Sequence, residues 1–186
     1  WQAKATDSTG TRELRATLLG ALTDLGDDPK FFAEADALAK KWLDDPNALE
    51  PDSVDLVLRV MAGRGDRKLL DRLAEMLKKE TDSRRRDRLV GAFGGFRDPA
   101  LVKAGLGLYL DPALDPRVAV GLFWGQRRAN IRVGWTFLKD NFDAVMGRTP
   151  AEMRPYLIGM AGDFCDEASR AEVESFLKDR VAKITG

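Results

Sequence analysis

The chain is written almost entirely in one register: apolar residues recur every three or four positions, and Gly or Asp-Pro interrupts each run. The clearest case is IRVGWTFLKDNFDAVM at 131–146, where Trp135, Leu138, Phe142 and Val145 fall at i, i+3, i+7 and i+10. That spacing lays one apolar stripe along a helix, and the stripe needs neighbouring helices to cover it. Alternating β-branched runs and Asn-Gly turns are missing, so no strand competes.

From the N-terminus, Ser8 and Thr9 read as caps for a first helix striped by Leu14, Leu18, Ala21, Leu22 and Leu25 and stopping near Gly26. Asp28-Pro29 opens a second, carrying Phe31, Phe32, Ala35, Leu38, Ala39, Trp42 and Leu43 to Pro46, and the two are expected to form an antiparallel pair. Pro51, Asp66, Asp82, Asp98-Pro99 and Asp115-Pro116 open the third to seventh helices. Residues 131–146 form the eighth. Thr149-Pro150-Ala151-Glu152 has the form of a capping box and opens a ninth helix with Tyr156, Leu157, Met160 and Phe164. A tenth runs over 169–181 with Val173, Phe176, Leu177 and Val181 on one side.

The chain also echoes itself. Leu19-Gly20-Ala21-Leu22 through Leu25 to Asp28-Pro29 resembles Val90-Gly91-Ala92-Phe93 through Phe96 to Asp98-Pro99, an offset of two helix pairs. Stacked helical hairpins generate such self-similarity, because a hairpin alone cannot bury both faces of its stripe. The expected fold is all-α, a superhelical stack of about five antiparallel helix pairs resembling HEAT or armadillo solenoids, with residues 1–186 as one domain.

Composition narrows function mainly by exclusion. Thirty basic residues balance thirty acidic ones, so no overall field draws the chain to nucleic acid or an anionic membrane. No apolar run approaches the roughly 20 residues of a membrane span. The absence of histidine removes the usual zinc ligand and general base. Cys165 is the only cysteine, which excludes an internal disulfide and any CxxC motif. The expectation is therefore a chain with no catalytic residues, no metal and no cofactor of its own. Its start at Trp1 points to a piece of a longer protein.

Few polar clusters stand out. Gly91, Gly94 and Gly95 match no phosphate-loop spacing and read as close helix packing. Arg84, Arg85, Arg86 and Arg88, interleaved with Asp82 and Asp87, read as a solvated face. Cys165 among Asp163, Asp166 and Glu167 is a poor nucleophile and reads as half-buried and structural. Asp27-Asp28 and Asp44-Asp45 sit at helix boundaries and read as caps. Arg127, Arg128, Arg132, Arg148 and Arg154 are the more interesting set, since arginines at helix starts can hold a carboxylate by paired hydrogen bonds.

The stretch GWTFLKDNFDAVMGR at 134–148, followed by DFCDEASRAEVESFLKDRVAKITG at 163–186, resembles the C-terminal helical domain of puromycin-sensitive-type zinc aminopeptidases of the gluzincin family. The resemblance rests on Trp135, Phe137-Leu138, Lys139 and Asn141-Phe142, and on LVGAFGGFRD at 89–98. Where that family often carries an asparagine and an arginine ahead of the tryptophan, this chain has Arg127 and Ile131, with Arg132 one place on. The resemblance implies a helical bowl that caps the active-site chamber, partners the catalytic domain of the same polypeptide and contacts peptide substrate; zinc would belong to that catalytic domain. It implies Arg127, Arg128 and Arg132 as substrate-binding residues. A cytoplasmic setting is favoured over a periplasmic or secreted one. The competing expectation is a free-standing repeat adaptor that binds a partner protein on its concave face.

Overall fold

The computed structural model describes residues 1–186 apart from Gln2, Ala5, Asp27 and Gly186, and leaves the side chains of Asp24, Leu25 and Thr185 undescribed. The described residues are helical with no strand. The helices are α1 (Thr9–Leu25), α2 (Pro29–Asp44), α3 (Pro51–Gly63), α4 (Arg67–Lys79), α5 (Ser83–Phe93), α6 (Pro99–Gly107), α7 (Pro116–Ala119), α8 (Gly121–Trp124), α9 (Ile131–Asp140), α10 (Phe142–Arg148), α11 (Arg154–Ile158), α12 (Glu167–Leu177) and α13 (Val181–Thr185).

The boundaries follow from local chemistry. The Asp28, Asp66, Asp82, Asp98, Asp115 and Asp166 carboxylates each accept a backbone N–H from the first turn of the helix they precede. The two Asp-Pro steps of the internal echo thus cap equivalent helices, α2 and α6. Asp27 lies outside the described residues; Asp44 ends α2 and pairs with Arg72.

Packing runs in two layers. Helices α1, α3, α5 and then α7 with α8 lie side by side, while α4, α6 and α9 follow one another in the second layer, and α2 packs on α3 as α4 does on α5. The α1–α2 pairing differs from expectation, because both helices pack chiefly on α3. One apolar core runs from Phe32 on α2 through α9 and α10 to Ile184.

Four elements depart from the sequence pattern. The eighth helix breaks at Asn141, which leaves helical geometry while its side-chain amide donates to the Phe137 carbonyl, but Trp135, Leu138, Phe142 and Val145 all remain buried. The seventh is two single turns, α7 and α8. The ninth is not opened by a capping box. The Thr149 hydroxyl is committed to the Val145 carbonyl and to buried Tyr109, at 2.6 Å each, and Pro155, Gly159 and Gly162 divide the segment beyond it into short turns. The tenth starts earlier, at Glu167, and ends at Leu177, leaving Val181 exposed at the start of α13.

The N-terminal stripe stays open. Leu14, Leu18 and Leu22 are 58%, 55% and 48% exposed, while the less apolar face of Arg15, Leu19 and Thr23 turns inward. Thr23 is compatible with burial because its hydroxyl donates to the Leu19 carbonyl.

Candidate functional site: an arginine-lined cleft at the turn edge

Three interhelical turns converge on one edge of the stack. They follow α3 at Gly63, α5 at Gly94-Gly95 and α8 at Gly125. The approach is too close for side chains: a Cβ on Gly94 would overlap the Gly125 carbonyl, and one on Gly95 would overlap the Arg59 carbonyl. A Cβ on Gly63 would sit 3.2 Å from the Gly95 carbonyl oxygen. Gly94 and Gly95 therefore do serve close helix packing.

An arginine follows each of these glycine turns, Arg64 after Gly63, Arg97 after Gly95 and Arg127 after Gly125, about thirty residues apart. With Arg59 on α3, all three line one cleft of about 360 Å³, which Thr23, Gly26 and Phe32 also line. None of its described lining residues is a carboxylate. Neighbouring acids offset part of the charge. Arg64 Nε lies 3.8 Å from the Asp36 carboxylate while its guanidinium rests over the Phe32 ring, 5.3 Å from the centroid, and Asp55 stands one helical turn before Arg59. Cations after a helix end also complement the carbonyls exposed there. Guanidinium groups around one open volume have the chemistry to donate to a carboxylate or another oxyanion.

The arginines expected from the sequence go to different places. Arg127 lines the cleft. Arg128 approaches Cys165, Nη2 to Sγ 3.6 Å, and Cys165 is exposed, not half-buried, because it lies in the short link ahead of α12. Arg132 is committed to packing. Its guanidinium donates to Glu172 at 2.7 Å and to Ser169, and lies over the Phe164 ring at 4.2 Å. Glu172 also accepts from Lys139 and from the Trp135 indole at 3.1 Å. The Lys139 hydrogen bond, ahead of those from Trp135 and Arg132, holds the Glu172 carboxyl below the usual glutamate range.

Arg148 and Arg154 are structural as well. Arg148 donates to the Asp111 and Leu114 carbonyls, and Arg154 to those of Thr149 and Lys183. In the basic run, Arg88 reaches Asp55 and the Pro51 carbonyl, and Arg85 reaches Asn47. Sequence reasoning missed Arg59, Arg64 and Arg97; the glycine-then-arginine recurrence at the turns was a signal for Arg64 and Arg97, and none marked Arg59 within α3.

The sequence has no histidine, and among the described residues no three His, Cys, Asp or Glu side chains cluster to hold a metal. No helix among the described residues is long and apolar enough to cross a membrane.

Comparison with known proteins is consistent in direction. Aminopeptidase 2 of Candida albicans is 23% identical over 97% of this chain and 20% of its own length. Aminopeptidase M1-A of Oryza sativa subsp. japonica is 24% identical over 97% of this chain and 21% of its own length. The chain thus spans about a fifth of the length of these curated relatives. The family described as the ERAP1-like C-terminal domain matches residues 1–186. Since that match covers the whole chain, the protein belongs to the ERAP1-like C-terminal domain family.

Proposed function

We propose that this chain is the single, C-terminal helical domain of a larger zinc-dependent aminopeptidase. In this reading it caps the active-site chamber, excludes water and large folded proteins, and holds the distal part of an unfolded peptide while the catalytic domain removes its N-terminal residue. Zinc and the hydrolytic residues belong to that other domain. The observation that carries the reading is the arginine cleft: Arg59, Arg64, Arg97 and Arg127 face one volume without a carboxylate among its described lining. The ligand we assign to it is the carboxyl end of a peptide. Of the three arginines read from sequence, Arg127 carries this proposal, and Arg128 and Arg132 support the neighbouring links.

The test is Arg64→Ala, Arg97→Ala and Arg127→Ala together in the parent enzyme. Charge-assisted hydrogen bonds of about 1.5–3 kcal/mol correspond to a KM for free-acid peptides raised about 10- to 100-fold, with a single aminoacyl amide unaffected. An equal effect on both substrates would reject the assignment. The isolated chain is expected to release no amino acid from an aminoacyl chromogenic substrate, even with added zinc. A native polypeptide of the chain's own 20.6 kDa mass would favour the adaptor reading instead.

A further inference from the structure

Residues around the end of α8 also line a second, smaller cleft, of about 220 Å³. Trp124 at the end of α8 and Tyr156 on α11 form its walls, with ring centroids 6.4 Å apart and planes at 81°. Both are exposed, at 53% and 66%, which is unusual for the two largest side chains of a cleft whose neighbours Phe123 and Leu157 are buried.

Two polar groups complete the lining. Asp163 contributes a carboxylate that, among the described residues, forms no ion pair and accepts no side-chain hydrogen bond. Gln126 donates its amide N–H to the Leu122 carbonyl at 2.7 Å, which leaves its Oε1 buried and without a partner among the described residues. An acceptor in that condition calls for a donor. Of the two arginines that follow Gln126, Arg127 lines the other cleft and Arg128 is drawn to Cys165; neither is part of this lining. Asp163 therefore supplies the only charge among the described lining residues.

We propose that this cleft is a subsite for a basic side chain, lysine or arginine, of a bound peptide. The aliphatic stem would lie against the exposed Trp124 and Tyr156 rings, where ring faces favour a cation, and the head group would pair with Asp163. The volume is below the roughly 300–1,000 Å³ of whole-ligand pockets and matches a single side chain. Trp124 and Gln126 line this cleft and Arg127 lines the other, so the two lie close along the chain. The assignment rests on the reading of this chain as a peptide-contacting domain, but its chemistry is separable from that of the arginine cleft.

The test uses this chain and a probe with no carboxylate, Nα-acetyl-lysine methylamide, followed through the indole N–H resonance of Trp124 as assigned with Trp124→Phe. The expected result is saturable binding at least about fivefold tighter than that of the norleucine or Nε-acetyl-lysine counterpart. Asp163→Asn is expected to bring the three probes within about twofold of each other, and Arg127→Ala to leave the lysine preference unchanged. Equal affinities for lysine and norleucine, a preference that survives Asp163→Asn, or no response of Trp124 to the lysine probe would each overturn the subsite. The arginine cleft is tested independently by comparing free-acid and amide forms of one peptide against Arg127→Ala. The basic-side-chain assignment can thus fail while the carboxylate assignment stands, and the reverse.

Discussion

Helices α1 and α9 carry the same kind of apolar stripe and meet opposite fates. On α9, Trp135 and Leu138 are fully buried, and α12 closes over them with Phe176, whose ring lies 5.5 Å from Trp135 edge-to-face. On α1, the leucine stripe faces outward, and α3 receives a smaller, more polar face. The difference lies in what stands beside each helix. The α9 stripe is flanked by Arg132 and Lys139, one turn or so to either side of the tryptophan, and both converge on Glu172 to fasten α12. The α1 stripe has no comparable anchor among the described residues. Periodicity announces that a face is suited to burial, and the flanking charges announce which element will cover it.

That contrast can be tested at three scales. Trp135→Ala removes a fully buried indole and is expected to cost about 3–5 kcal/mol in denaturant unfolding. A loss below about 1 kcal/mol would mean that α12 does not close over α9 in solution.

Glu172→Ala leaves the buried indole N–H without its acceptor and two cations without their anion. The expected cost is about 1–2 kcal/mol, tempered by the partial exposure of the site. The pH dependence carries a sign. A carboxylate held below its ordinary range contributes stability that is present above its unfolded pKa of about 4.3, and loses it as pH falls through the lower folded value. Wild type should therefore lose more stability than Glu172→Gln as pH falls below about 4.3, and parallel acid-unfolding curves would remove Glu172 from its role as fastener.

The smallest effect is expected at α1. Leu14→Gln with Leu18→Gln should change stability by no more than about 0.5 kcal/mol, because exposed side chains lose little on substitution. A loss of several kcal/mol would show the stripe to be covered in solution, and a concentration-dependent loss would assign the cover to a second copy of the chain.

Much of the architecture was legible from caps and periods. Asp-Pro steps placed the starts of α2, α6 and α7, and the stripe through Trp135, Leu138, Phe142 and Val145 is buried as its spacing required. Local rules failed where a side chain had a better long-range partner: Thr149 fits a capping box but bonds to Tyr109, forty residues away. For the same reason the arginine cleft was only partly legible. Arg127 stood out beside the central helix, but Arg59, Arg64 and Arg97 meet it only because three turns stack, and adjacency of turns is a tertiary fact. Arg132 looked equivalent to Arg127 in sequence, and its commitment to Glu172 depends on α12 returning across α9.

The contact between the Gly94 and Gly125 turns is made by backbone against backbone, with no side chain that can change rotamer to absorb a displacement. Arg97 and Arg127 thus stand on a scaffold whose spacing changes only if whole helices slide. Their reach toward a ligand is adjustable at the tips, but their separation at the base behaves as a fixed gauge. Sequence drift along the outer helix faces leaves that gauge untouched, whereas one added methyl group at Gly94 would reset it.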